Sequence, residues 1–158
     1  MNQFIPMKSP EQTKPSRKLT VLFLCTGNTA RSQMAEALLR FHASDRFEIT
    51  SAGLEPGVLN PYTIRVLEER GINTEGMHAK GSTPMLGHRT FHYLITVCAR
   101  AEQNCPIFPG VSQRLAWPFE DPAAFVGDEA ATLDKFRAVR DSIEQRILEW
   151  LPSLKPLP

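Results

Sequence analysis

Apolar and polar positions along this chain change their period at regular intervals. From Leu19 to Cys25 the run Leu-Thr-Val-Leu-Phe-Leu-Cys is almost wholly apolar and β-favouring. That predicts a strand covered on both faces. After Thr26 to Arg31 the period lengthens, and Met34, Ala35, Leu38 and Leu39 fall on one face of a helix expected over Ser32 to Phe41. Phe47 to Ser51 alternates as a second strand, ended by Ala52-Gly53. Asn60-Pro61 supplies an N-cap and a first-position proline for a second helix carrying Ile64, Val66 and Leu67, with Gly71 placed to stop it. Phe91 to Cys98 reads as a third strand and Arg114 to Trp117 as a short fourth. Over Thr132 to Leu151, positions Leu133, Phe136, Val139, Ile143, Ile147 and Trp150 keep one apolar face of a long helix.

Strands alternating with helices imply parallel pairing through crossovers, so the expected fold is α/β, a single domain whose four-stranded parallel sheet has helices on both faces. Such sheets bind ligands at the carboxyl ends of their strands. Cys25 and Cys98 close the first and third predicted strands, and Asp121 follows the fourth, so all three are expected at that edge. The 158 residues suit one core. Residues 1–16 are polar with three prolines and read as a flexible extension, leaving 17–158 as the domain.

Charge narrows the function classes. Eighteen basic and 17 acidic residues leave a net charge of +1, spread without a basic patch, which gives no footing for nucleic acid. No apolar run approaches the roughly 20 residues of a membrane span. The three cysteines, an odd number without a secretory leader, predict reduced thiols and a cytoplasmic protein. His42, His78, His88 and His92 fit no catalytic constellation and are expected at the surface or in packing. Six residues between Cys98 and Cys105 do not match the usual zinc-ligand spacing. No metal and no cofactor are therefore expected.

The chemistry concentrates in Cys25-Thr26-Gly27-Asn28-Thr29-Ala30-Arg31-Ser32, on the turn from a buried strand into a helix. Backbone N–H groups in such a turn form a concave nest, and the helix behind it adds positive potential. The Arg31 guanidinium can take two oxygens of a tetrahedral anion at once. Gly27 permits a tight backbone, and Asn28 tolerates left-handed geometry. A thiol beside a helix N-terminus and an arginine has its thiolate favoured, and the Ser32 hydroxyl can add a hydrogen bond to the sulfur. The site is suited to a nucleophile that attacks an oxyanion.

The stretch from Cys25 to Glu36 resembles the signature of the low-molecular-weight tyrosine phosphatase superfamily, and most of all its thioredoxin-coupled arsenate reductase branch. Ser51-Ala-Gly53, Thr96-Val-Cys98 with Cys105-Pro106, and Phe119-Glu-Asp-Pro122 extend the likeness across about residues 19 to 150. The resemblance implies a relay in arsenic detoxification. Cys25 attacks arsenate, Cys98 attacks the Cys25 sulfur and arsenite leaves, and Cys105 takes over to leave a Cys98–Cys105 disulfide that thioredoxin reduces. It also implies that Asp121 protonates the leaving oxygen, with its neighbour Glu120 as the alternative. Many relatives carry a further cysteine where this chain has Ala30, a position outside the relay.

Two other readings stay open. The loop and Asp121 alone would serve a phosphatase acting on phosphoesters, but Ala123-Ala124 stand where such enzymes carry aromatic residues. A redox-sensing module could use the same cysteine pair to change partners. If Cys98 to Cys105 were helical, their Cα atoms would lie about 10.5 Å apart on one face. A disulfide needs about 4.4–6.8 Å, so oxidation is expected to unfold the segment. Some reductases of this resemblance bind potassium near the loop through an acidic residue, at a place where this chain has Lys80. Its ammonium either fills that place, with Asn28, Glu36 and Ser51 as oxygen partners, or is a solvated surface charge.

Overall fold

The computed structural model describes residues 17–87 and 89–154, so the expected extension over 1–16 and His88 lie outside the described residues. Four strands, β1 (Leu19–Cys25), β2 (Phe47–Gly53), β3 (Tyr93–Thr96) and β4 (Gln113–Ala116), form one sheet in the order β2-β1-β3-β4. Every pairing is parallel, as expected. The central β1 is buried on both faces: Val21, Leu22, Phe23 and Leu24 are all 0% exposed. Each such side chain contributes about 1.5–3 kcal/mol by leaving water.

Helix α1 (Arg31–Ala43) packs on β1 and β2, and α4 (Glu129–Trp150) packs on α1 and on α2 (Pro61–Glu68). An aromatic column ties α4 to the sheet. Trp150 stacks on Phe47 at 5.6 Å and meets Trp117 edge-on at 5.3 Å, and Trp117 reaches Phe23 at 6.1 Å. That column fixes the chain just before Pro118 to Asp121, the segment that leaves β4 towards the site.

Several boundaries differ from the sequence expectation. The third strand was expected over Phe91 to Cys98, but the ladder covers only Tyr93–Thr96. Its flanks still bond on both sides: His92 N–H donates to the Thr20 carbonyl and Val97 N–H to the Leu24 carbonyl, both at 3.0 Å, while their own carbonyls accept from Gln113 and Phe119 N–H at 2.9 and 3.1 Å. Helix α4 begins three residues earlier than its apolar stripe. The Asp128 side chain caps it by accepting from Ala131 N–H at 2.7 Å, and the first turn, with Glu129 and Ala130 exposed and Ala131 partly so, carries no large apolar residue. Helix α1 starts at Arg31 rather than Ser32.

The segment between the two later cysteines also needs correction. Helix α3 is only Ala99–Gln103, so Cys98 precedes it and Cys105 follows it, and the two do not share a helix face. Pro106 explains the early stop, because a residue before proline is disfavoured in the α region.

Candidate active site

The carboxyl end of β1 delivers Cys25 into a tight loop, residues 26–30, before α1. Within it Asn28 has φ 55°, the left-handed region that asparagine tolerates. The loop's carbonyls turn to one side. Those of Cys25, Thr26, Gly27 and Thr29 accept from Leu54, Glu55, Gly57 and Asn60 N–H at 2.9–3.0 Å. Because N–H and C=O of a peptide point opposite ways, the N–H edge faces the other side, towards the sulfur. Asn28 N–H accordingly donates to Cys25 Sγ at 3.1 Å. Ser32 Oγ lies 2.8 Å from the same sulfur. Helix α1 has no side-chain cap at Ala30, so its first-turn N–H groups are left to an incoming anion.

The loop is braced from below by a buried polar network. Asn28 Nδ2 donates to Ser32 Oγ at 2.8 Å and to Ser51 Oγ at 2.9 Å. Its Oδ1 accepts from Gln33 Nε2 and from Lys80 N–H, each at 2.8 Å. Gln33 Nε2 also donates to the His78 carbonyl at 2.7 Å. Gln33 was missed by the sequence reading, although a polar residue inside an otherwise apolar helix face was its signal. Lys80 is no solvated lysine: its Nζ lies 3.4 Å from Ser51 Oγ, 3.4 Å from the His78 carbonyl and 3.8 Å from Glu36 Oε1. Asn28, the third expected partner, meets the Lys80 backbone instead of the ammonium.

Gly53, at the end of β2, allows the loop to sit where it does. A Cβ there would come within 2.7 Å of Asn28 N and of the Gly27 carbonyl carbon. Gly53 N–H in turn donates to the Lys80 carbonyl at 2.8 Å, joining strand end, loop and lysine in one unit.

Beside the loop opens a cavity of about 560 Å³ walled by Thr26, Arg31, Cys98, Arg100, Phe119 and Asp121, with Cys25 buried next to Thr26. Arg31 donates to the Phe119 carbonyl at 3.1 Å and faces Asp121 Oδ2 at 3.7 Å. The other Asp121 oxygen accepts from Ala123 N–H at 3.0 Å, which fixes the carboxylate's direction. Glu120 also reaches the cavity but pairs with Lys135 at 2.6 Å. Cys98 caps α3, its sulfur accepting from Ala101 N–H at 3.3 Å and standing 3.5 Å from Thr26 Oγ1.

Cys105 stands apart from this cavity wall, half-buried beyond α3, with Sγ 3.5 Å from the Pro106 carbonyl. Burial pushes its thiol above the ordinary value; the Arg114 guanidinium beside it pulls the other way, and the Glu102 carboxylate pushes it further up. All three cysteines are free thiols. Among the described residues no cluster of metal ligands occurs, and His42, His78 and His92 stand away from the cavity wall. None of the described helices is long and apolar enough to cross a membrane.

A thiol under an anion-binding turn, a guanidinium beside it and a carboxylate across the opening make a site able to attack a tetrahedral oxyanion and protonate what leaves. The low molecular weight phosphotyrosine protein phosphatase family matches residues 20–156, and the chain belongs to that family. Its relatives include an arsenate reductase of Bacillus licheniformis, 38% identical over 130 residues that cover 82% of this chain and 93% of that protein. An arsenate reductase of Bacillus subtilis is 34% identical over 131 residues, covering 82% and 93%. Among solved structures, an arsenate reductase in the phosphate binding state superposes with a TM-score of 0.73 at 26% identity, over 87% of this chain and 99% of that one. A thioredoxin-dependent arsenate reductase of Corynebacterium glutamicum gives 0.64 at 30% identity, over 87% and 62%.

Proposed function

We propose that the protein reduces arsenate to arsenite by a three-thiol relay and that thioredoxin restores it. The observation that carries this reading is the second thiol: Cys98 lies in the wall of the same cavity as Thr26, Arg31 and Asp121, against the side chain of the residue that follows Cys25. Hydrolysis of a phosphoester has no use for it. The arsenate reductases among the relatives supply the substrate class.

The steps balance as follows. Arsenate enters the turn, held by loop N–H groups and by Arg31. The Cys25 thiolate bonds to arsenic, and an arsenate oxygen departs as water with a proton from Asp121. Cys98, as thiolate, attacks the Cys25 sulfur. The As–S electron pair stays on arsenic, which falls from As(V) to As(III), and arsenite leaves behind a Cys25–Cys98 disulfide. The Cys105 thiolate then attacks Cys98, forming Cys98–Cys105 and freeing Cys25 as thiolate. Two electrons and two protons from thioredoxin's dithiol restore Cys98 and Cys105. The reaction belongs in the cytoplasm, where thioredoxin keeps thiols reduced.

The last exchange needs motion. From its N-cap Cys98 to its last residue Gln103, α3 rises about 7.5 Å at about 1.5 Å per residue, and Cys105 lies two residues further on, whereas a disulfide needs about 4.4–6.8 Å between Cα atoms. Helix α3 is suited to unwind, since it has five residues and buries only Ala101. The deciding experiment is arsenate-dependent NADPH oxidation with thioredoxin and its reductase. Steady turnover with arsenite as product supports the reading. Phosphoester hydrolysis without arsenate-dependent oxidation would assign the site to the phosphatases instead.

A further inference from the structure

The wall of the site carries a positive charge that its own groups do not use. The charged residues lining the cavity are Arg31, Arg100, Glu120 and Asp121. Glu120 is paired with Lys135 at 2.6 Å, and Asp121 faces Arg31 at 3.7 Å. Arg100 is left over. It is exposed on α3, and among the described residues no carboxylate forms an ion pair with it. Glu102, on the same helix, is engaged elsewhere. Its Oε2 accepts from the buried Thr96 hydroxyl at 2.6 Å and faces Arg114 at 3.8 Å. That contact and the Cys98 sulfur, which caps Ala101 N–H, hold α3 on either side of Arg100. Arg100 and Thr26 also line a neighbouring cavity of about 370 Å³, so the two form the partition between it and the site.

We propose that Arg100 is a second oxyanion-binding cation, which takes arsenate at the outer wall of the cavity while Arg31 holds it at the loop. The inference deepens the reading above and rests on it. Arsenate arrives as an anion at a thiolate, and like charges brought together in a cleft repel. Arg31 alone is poorly placed to offset this, because its guanidinium already serves Asp121 and the Phe119 carbonyl. Arg100 supplies the missing charge. A cleft with a surplus of one sign raises the local concentration of the opposite ion, and a guanidinium fork suits the oxygens of a tetrahedral anion. The same charge sorts substrate from product. Arsenous acid is neutral at neutral pH, so Arg100 has no charge to hold, and the product leaves while fresh arsenate is drawn in. Arg100 thus acts on binding and not on the chemical step.

The test uses inorganic phosphate, a tetrahedral anion that cannot oxidise the thiols, titrated by calorimetry into the reduced full-length protein. Arg100→Gln is expected to weaken phosphate binding by about three- to tenfold at low ionic strength, with the loss shrinking as salt is added. Arg100→Glu weakens it further, and Arg100→Lys restores most of the affinity. Circular dichroism checks that each variant is folded. In arsenate-dependent NADPH oxidation, Arg100→Gln raises KM by the same factor and leaves kcat within about twofold, as loss of uniform binding requires. Arg46→Gln, exposed at the amino end of β2, removes the same net charge far from the site and is expected to change neither quantity. Phosphate affinity unchanged in Arg100→Gln, or lowered equally in Arg46→Gln, would overturn the proposal. So would a fall in kcat at unchanged KM. Phosphate binding transfers no electrons, so a weakened Arg100→Gln in a protein without arsenate turnover would refute the relay and leave Arg100 standing as an oxyanion-binding residue.

Discussion

Gly53→Ala tests whether the position of the oxyanion loop, rather than its residues alone, sets activity. Gly53 is part of strand β2 and touches no substrate. A methyl group there would meet Asn28 N and the Gly27 carbonyl carbon at 2.7 Å and the Thr26 carbonyl oxygen at 2.8 Å. All three neighbours are backbone, so no flexible side chain can swing away. Opening 2.7 Å to an ordinary 3.4 Å contact moves the loop by about 0.7 Å. The loop cannot shift alone, because Gly53 N–H and carbonyl are themselves bonded to Lys80 and Ser82. Overpacking of this kind costs about 1–3 kcal/mol of stability. Misplacement of a reacting group by about 1 Å costs on the order of a hundredfold in rate, so a loss of about 10- to 100-fold in kcat/KM is expected here. Thermal unfolding reports the first quantity and arsenate-dependent NADPH oxidation the second. A folded Gly53→Ala protein with unchanged kcat/KM would show that loop placement does not limit the reaction.

Cys25→Ser is expected to abolish arsenate reduction and any phosphoester hydrolysis together; retention of either one shows that the two do not share a nucleophile. Cys98→Ser should stop arsenite release while leaving p-nitrophenyl phosphate hydrolysis, measured in parallel. Cys105→Ser should release about one arsenite per chain and trap a Cys25–Cys98 disulfide visible by mass mapping; repeated turnover with thioredoxin alone would remove Cys105 from the scheme. Lys80→Ala strips the inner cation from Glu36 and is expected to cost about 1–3 kcal/mol in thermal unfolding and to raise KM for arsenate. The unaltered chain should work equally well in potassium and sodium chloride at one ionic strength, and strong potassium activation would show that its ammonium does not fill the cation's place.

The sheet was legible because strand β1 is buried on both sides and therefore reads as an unbroken apolar run. The short strands were legible only in outline. Phe91 and Val97 flank β3 and are as buried as its own residues, so hydrophobicity extended the strand past the four residues that pair. Helix α4 shows the opposite error. Its apolar stripe marks where it touches the core, whereas its start is set by the Asp128 cap and a first turn facing solvent.

That Cys25, Arg31 and Asp121 come together at one edge of the sheet could be read from sequence, because the strand ends place them there by topology; their chemical roles were implied only by the resemblance. Of what braces them, the resemblance pointed to Lys80 with Asn28, Glu36 and Ser51, but the parts played by Gln33 and Gly53 were not legible, since the brace joins three separate stretches of chain and forms only after folding. The same holds for Glu102, which as a sequence letter is one more exposed acid in a short polar helix. Its meaning comes from Thr96 beneath it and Arg114 across from it, on strands that parallel pairing brings side by side. Chemistry confined to one turn is written locally, but contacts such as these exist only once the sheet assembles them. Helix α3 is short, capped by the Cys98 sulfur and anchored by the Glu102 carboxylate, so a relay that consumed that sulfur would also loosen the helix.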